Sequence, residues 1–296
     1  MMYMDISVFP NTGKGEIYPF FSDLLPAMEE AGFRYFLPDY VRPFFEERKI
    51  RLDHSKYKSL EWLGKHTEIA FSIGGDGSFL QAARDLAEYP ILLAGIHMGE
   101  LGFLNSITPL NMKMRFQDIR EKKYTVEKRV FLESWIEHAN GMKTVLPGVL
   151  NDIVVGHDTI GKMSRLRLWI NGKFFQQYPA DGLIVATPTG STSYALSCGG
   201  PILDGAAENM LVVPICPHMI QNFSMVLPMN ADVMIQLPER EEQLHISLDG
   251  NGTYKIYQRE RIHIRCCHKP IRFLRFADQD FFSAISSRLF PKIRAN

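Results

Sequence analysis

The chain has 296 residues, 46% of them hydrophobic, enough for substantial cores and, at about 150 residues per domain, for two domains. Lys and Arg number 33 and Asp and Glu 33, a net charge of zero that argues against a broad electrostatic surface for nucleic acid or anionic lipid. Charged residues at 22%, with ordinary Gly and Pro usage, exclude a disordered or collagen-like chain.

The N-terminal stretch 1–9 carries Asp5 and lacks a basic region, which speaks against a signal peptide, and no apolar run approaches the ~18 residues of a membrane helix. A cytoplasmic protein without nucleic-acid or membrane partners is expected. Cys198, Cys216, Cys266 and Cys267 form no Cys-x-x-Cys spacing, so reduced thiols are expected as well.

The first hundred residues alternate between strand and helix patterns. A strand is predicted over 5–9, a helix over 18–31 ending at Gly32, a buried strand over 68–73, a helix over 78–88 and a strand over 91–96. Phe79, Ala82, Ala83 and Leu86 give the second helix one apolar face to lay on a sheet. Such alternation predicts a Rossmann-like α/β domain with a parallel sheet.

From about Thr125 the period changes to two. Leu166, Leu168 and Ile170 alternate with Arg165, Arg167 and Trp169, Asn171-Gly172 supplies type I′ turn residues, and 173–178 returns as the partner strand. Further strands are predicted over 130–137, 183–187, 233–237, 244–248 and 261–267, with a turn cluster at 249–252. Phe281, Ile285 and Leu289 then mark a helix stopped by Pro291, and because a lone helix is stable only when docked it should return to the first domain. The expected organisation is α/β plus all-β: an α/β nucleotide-binding domain over 1–115 with 270–296 returning to it, and a second, β-rich domain over 116–269.

Three segments carry chemistry. Gly74-Gly75-Asp76-Gly77-Ser78 lies between a buried strand and a helix start, where successive N–H groups and bare glycines suit a phosphate. Asp76 is out of place in an anion-binding turn, which points to the handling of a proton or a metal ion. The bland alternative is that Ser78 or Asp76 caps the helix. A second Gly-rich turn, His97 to Phe103, follows the next strand and should share the same sheet edge. The third segment, Asp181-Gly182 followed by the hydroxyl-rich run 187–201, is too dense in Ser, Thr, Gly and Pro for a strand and reads as a loop offering short donors, acceptors and the Tyr194 ring to a nucleoside. Neither a Walker loop nor a Gly-x-Gly-x-x-Gly turn is present. His218 reads as a turn residue, the basic stretch from Arg259 to Arg275 as a solvated strand face, and His245, His263, Cys266, Cys267 and His268 fit no zinc spacing.

In order and spacing, these segments, with Leu-Asn-Asp-Ile-Val-Val at 150–155, Pro-Ile-Cys-Pro-His at 214–218 and Leu-Asp-Gly at 248–250, give a chain that resembles bacterial NAD kinases over roughly residues 70–255. The Gly-Gly-Asp-Gly turn alone is shared with phosphofructokinases and diacylglycerol-type lipid kinases, whereas Thr-Gly-Ser-Thr-Ser-Tyr is far more particular. The resemblance implies transfer of the terminal phosphoryl of ATP, another nucleoside triphosphate or polyphosphate to the 2′-hydroxyl of the adenosine ribose of NAD, giving NADP. It also implies a divalent metal ion, Mg²⁺ first, an NAD-binding role for the β-rich domain, and a homodimer or homotetramer.

Site residues follow from the same resemblance. Asp76 matches the catalytic aspartate, as proton acceptor with metal binding as a competing role. Gly77 would allow close approach of the dinucleotide, and Phe103 would wall the adenine pocket. Asn151 and Asp152 stand where Asn-Glu is usual, the shorter Asp152 with less reach. Asp181 would accept from the nicotinamide side and Thr189 would contact adenine. Thr192, Ser193, Tyr194, Ala195, Leu196 and Ser197 would line the NAD pocket, with Ser193 standing where alanine is common. Lys162 and Asn251 match further NAD-contacting positions. Two alternatives stay open: another Gly-Gly-Asp-Gly kinase acting on a lipid or sugar, which leaves 181–201 unexplained, and a non-catalytic dinucleotide-binding regulator.

Overall fold

The computed structural model describes residues 3–99, 102–157, 163–218, 223–237 and 243–289, so Lys162 and Pro291 lie outside the described residues. The chain begins with β1 (Met4–Pro10), α1 (Ile17–Glu30), β2 (Phe33–Pro38), α2 (Arg42–Glu47), β3 (Tyr57–Lys58), α3 (Leu60–His66), β4 (Ile69–Gly74), α4 (Asp76–Asp85), β5 (Leu92–His97), α5 (Met112–Arg120) and β6 (Thr125–Arg129). A long β stretch follows: β7 (Leu132–Glu137), β8 (Lys143–Val149), β9 (Asp152–Gly156), β10 (Ser164–Ile170), β11 (Lys173–Ala180) and β12 (Gly182–Ala186). After the short helix α6 (Tyr194–Ser197) come β13 (Asn209–Ile215), β14 (Met225–Pro228), β15 (Asp232–Gln236), β16 (Gln243–Leu248), β17 (Asn251–Tyr257) and β18 (Arg261–Cys266), and the chain closes with β19 (Ile271–Arg275) and α7 (Phe281–Leu289). It divides into two compact units, Met1–Lys128 with Ile271–Asn296, and Arg129–Pro270.

The first unit is a mixed α/β domain on a seven-stranded sheet ordered β3-β2-β1-β4-β5-β19-β6. Its inner strands are buried continuously, as strands covered on both faces must be: β4 buries every residue from Ile69 to Gly74. In α1, Ile17, Phe20, Phe21, Leu24, Ala27 and Met28 are buried at helical spacing and pack with β1, β2, β4 and the α5 residues Met112, Phe116 and Ile119. The C-terminal return is made by a strand as well as the expected helix. β19 runs parallel to β5, pairing Arg272 with Leu92 and Phe273 with Leu93, and the Phe273 ring meets Phe79 of α4 edge-on at 4.7 Å.

The parallel register positions the first two motifs. Gly74, the last residue of β4, is paired with His97, the last of β5, so the turns that follow emerge side by side at the carboxyl edge of the sheet, where open α/β sheets bind ligands.

The second unit is a β-sandwich of two six-stranded sheets, β11-β10-β15-β18-β7-β8 and β14-β13-β12-β9-β16-β17. The predicted hairpin is β10 and β11, turned by Asn171 and Gly172 at φ of 51° and 72°, the double positive φ of a type I′ turn. Leu166, Leu168, Val233, Ile235, Ile262 and Ile264 of one sheet interleave with Ile153, Val155, Leu183, Val185, Leu244 and Ile246 of the other. The far face of the second sheet, carrying Ile184, Ala186, Leu211 and Val213, is covered by Ala195 of α6. The hydroxyl-rich segment is thereby laid over the sheet.

Candidate active site

In the first unit the site is built around Asp76. Gly74 sits at φ +144°, a conformation that strongly favours glycine, and a Cβ there would lie 2.4 Å from Ser78 Oγ. That hydroxyl is fixed by Asn11 Nδ2 at 2.9 Å. Gly75 is the N-cap of α4, and no side chain caps the helix, so neither Asp76 nor Ser78 has the capping role. Asp76 instead reaches across to the second Gly-rich turn. Its Oδ2 accepts the Phe103 N–H at 2.9 Å, and its Oδ1 accepts the Leu104 N–H at 3.2 Å and Asn105 Nδ2 at 2.8 Å. An ionised carboxylate has about four lone-pair sites; three donors leave room for roughly one more. The 102–105 segment is braced from behind by Arg275, whose Nη1 donates to the Leu104 carbonyl at 3.2 Å and whose Nε pairs with Glu127 at 3.2 Å. Burial draws the Arg275 pKa down, and attraction to Glu127 and Asp76 opposes that.

In the second unit the site is built around the turn into β9. Asp249, at φ 50° in the turn between β16 and β17, accepts the N–H groups of Leu150, Asn151 and Asp152 at 3.1, 2.7 and 3.2 Å. Thr187 ties the hydroxyl-rich loop to the same turn: its Oγ1 donates to the Leu150 carbonyl at 2.5 Å and accepts the Gly190 N–H at 3.0 Å, while its N–H donates to the Asn151 carbonyl at 2.8 Å. A Cβ on Gly190 would lie 2.1 Å from the Asn151 oxygen, so only glycine allows this approach. Asp152, at 3% exposure, is hydrogen-bonded to the Ser193 hydroxyl, yet burial and then the neighbouring Asp249 charge push its carboxyl up to about 7.

Two family models cover most of the chain: the ATP-NAD kinase N-terminal domain matches residues 46–124 and the ATP-NAD kinase C-terminal domain matches residues 150–276. The NAD kinase of Lachnoclostridium phytofermentans is 32% identical over 241 residues, 80% of this chain and 85% of the relative. This chain belongs to the NAD kinase family. The NAD kinase of Escherichia coli O7:K1 is 32% identical over 241 residues, 81% of this chain and 82% of its own. Among solved structures, yeast NADH kinase complexed with NADH superposes with a TM-score of 0.86 over 99% of this chain and 89% of that one, at 20% identity. An Archaeoglobus fulgidus NAD kinase in complex with ATP gives 0.72 over 96% and 99%, at 22% identity. Both share the fold.

Set on this NAD kinase frame, the residues singled out in sequence form two clusters, with the rest placed singly. Asp76, the exposed Gly77 and the half-buried Phe103 gather at the carboxyl edge of the first sheet, and a Cβ on Gly77 would meet open space. Asn151, Asp152, Thr189, Thr192 and Ser193 gather around the β9 turn. Thr189 is buried and its hydroxyl takes Arg129 Nη1 at 3.3 Å, while Ala195 is fully buried in the core under α6. Tyr194 is 44% exposed, Leu196 half-buried and Ser197 exposed. Asp181 is half-buried and its charge acts on the Tyr194 phenol, which also bonds Cys198. Asn251 is exposed, with Nδ2 3.4 Å from the Asp249 carbonyl, and His218 is exposed on a loop. Sequence reasoning missed Asn11, Asn105 and the bracing Asp249, and it placed Arg275 on a solvated face although its side chain is only 13% exposed. Asp249 did stand out in the Leu-Asp-Gly motif at 248–250 and ahead of Gly250 in a turn, but neither signal gave it a role.

Among the described residues no group of three or more His, Cys, Asp or Glu side chains is placed to hold a metal ion. With Asp76 already taken by three donors, the described residues offer no all-protein cage.

Proposed function

We propose that this protein transfers the terminal phosphoryl group of ATP to the 2′-hydroxyl of the adenosine ribose of NAD, giving NADP, with Asp76 accepting the hydroxyl proton. It is a phosphotransferase of the NAD kinase family, and the observation that carries the reading is that one chain, matched by both family models, carries both the Asp76 turn and the hydroxyl-rich loop tied to Asn151. In-line phosphoryl transfer asks for positioning, charge neutralisation and somewhere for the attacking proton to go, with no covalent protein intermediate. The uncapped N-terminus of α4 suits donor phosphates. The remaining acceptor site on Asp76 suits the ribose hydroxyl. Mg²⁺ would arrive on the nucleotide and neutralise phosphate charge. The β-rich unit is the NAD-binding domain in this reading, and its 150–152 turn, Asp181 and the 189–197 segment are the surfaces offered to the dinucleotide.

We place the enzyme in the cytoplasm: no helix among the described residues is long and apolar enough to cross a membrane, and none of the four cysteines is joined in a disulfide. We also propose a homodimer or homotetramer. Val145, Trp135, His263, Met234, Trp169 and Phe174 lie in register across all six strands of one sheet of the second unit, on the face away from its core. Val145 is 80% exposed and Phe174 57%. Glu133, Arg265 and Asp232 flank this row on one side and Glu137 and Arg261 on the other, charges of both signs that a second copy can match. Light scattering should give a dimer or tetramer; a monomer at micromolar concentration would refute it.

The activity is tested by incubating the protein with Mg²⁺, NAD and ATP and reading the product with a strictly NADP-dependent dehydrogenase, with NADH and polyphosphate as alternative substrates. Product is expected with at least one pair. Saturable NAD binding without product would turn the reading to a silent dinucleotide binder, and no NAD binding to another Gly-Gly-Asp-Gly kinase.

A further inference from the structure

We propose that Asp152 meets the bound dinucleotide as a neutral carboxylic acid, donating an O–H hydrogen bond, and that Asp249 is the positioning residue that keeps the proton on it. The inference rests on the NAD site proposed above and specifies how pH regulates it.

Asp152 and Asp249 are tied together by two reciprocal contacts. The Asp152 N–H donates to Asp249 Oδ1 at 3.2 Å, and the Asp249 N–H donates to the Asp152 carbonyl at 2.9 Å. Their surroundings then separate them. Asp249 accepts three backbone N–H groups, from Leu150, Asn151 and Asp152, and donors of that kind favour the ionised form. Asp152 is 3% exposed, and its Oδ2 is buried with no hydrogen-bond partner among the described residues. A bare ionised oxygen there, beside a second negative charge, is costly. The acid form leaves only an O–H to satisfy.

The groups facing Asp152 agree. Asp249 comes from the turn after β16, Ser193 from the segment before α6, and Cys198 from the end of α6 with its thiol pushed up by burial. Burial and Asp249 both favour the proton on Asp152, the Ser193 hydrogen bond alone opposing, with half-protonation at about 7. As an acid, Asp152 offers its proton to a ribose or phosphate oxygen and adds no charge beside the pyrophosphate. Once ionised, it presents two acceptors and a repulsive charge to the same ligand.

The test is the dissociation constant of NAD, measured calorimetrically on the full chain between pH 5.5 and 8.5, where NAD itself does not titrate. Wild-type affinity should be flat below pH 7 and weaken about tenfold per pH unit above it. Asp152→Asn, a permanent neutral donor, should bind within a few-fold of the acid-side wild type and show no such fall. Asp249→Asn, which removes the neighbouring charge, should move the midpoint below 7, a shift that a merely structural role for Asp249 does not produce. A flat wild-type profile overturns the donor role while leaving NAD binding intact, and so does an Asp152→Asn protein that folds but binds NAD at least tenfold more weakly at pH 6. Well-folded wild-type protein that binds no NAD at any pH overturns the functional reading and the donor role together.

Discussion

Asp76 fills the space that a side chain on residue 102 would need: a Cβ built on Gly102 would lie 2.0 Å from Asp76 Oδ1. The two Gly-rich turns are thus one device. The first delivers the carboxylate and the second, bare at Gly102 and donating from Phe103, Leu104 and Asn105, receives it. Gly102→Ala should displace the Asp76 carboxylate without disturbing either core. We expect NADP formation to fall at least tenfold with the far-ultraviolet circular dichroism unchanged, and near-wild-type turnover would show that the clamp is dispensable.

The brace behind that clamp should matter for stability as well as rate. Arg275→Met removes the donor to the Leu104 carbonyl and one of the partners of Glu127, a loss of about 1–3 kcal/mol where a shielded polar group is left unsatisfied. Urea titration should show a lower midpoint, and kcat should fall more than the KM for NAD changes. Unaltered stability would mean that water replaces the guanidinium.

Much of this was legible in the sequence where the signal is local. Period-two alternation around Asn171-Gly172 forecast the hairpin, and the apolar runs at 68–73 and 91–96 forecast the two strands whose aligned ends carry the first motifs. What could not be read was long-range. Nothing in Ile271 to Arg275 reveals that this strand pairs with β5, some 180 residues earlier, and so Arg275 looked solvated when its side chain is mostly covered. Asp249 looked like a turn former because its three donors belong to a segment about a hundred residues away. The role of Asp76 was half-visible: glycines on both sides announced a special carboxylate, but the donors that hold it lie beyond the next strand.

Thr187 is the tie between the hydroxyl-rich loop and the Asn151 turn, and Thr187→Val removes its hydroxyl at nearly constant volume. The Leu150 carbonyl and the Gly190 N–H would each lose a partner, together costing about 2–4 kcal/mol. NAD binding should weaken by tenfold or more, while a fluorescent ATP analogue binds as before. Equal loss of both ligands would indicate general unfolding and contradict a local tie.

Asp152 makes stability depend on pH in a defined direction. Its carboxyl is raised from 3.8 to about 7 in the folded protein, so between these values the unfolded chain has given up a proton that the folded chain still holds. Stability from this group is therefore full below about pH 4 and is lost as pH rises to about 7, by up to about 4 kcal/mol. Asp152→Asn should be more heat-stable than wild type at pH 8, with the gap closing toward pH 4. Scanning calorimetry at the two pH values checks it, and a gap independent of pH would contradict the raised carboxyl.

The central claim is that Asp76 takes the proton from the ribose hydroxyl, and the most direct measurement is kcat for NADP formation by Asp76→Asn alongside the NAD dissociation constant of the same protein. An amide in this position turns its NH₂ toward the Phe103 N–H or toward the Leu104 and Asn105 donors, so the variant's stability must be recorded too. The account predicts a folded protein that binds NAD within about tenfold of wild type and turns over slower by three or more orders of magnitude. A folded Asp76→Asn protein retaining more than a tenth of wild-type kcat would contradict it.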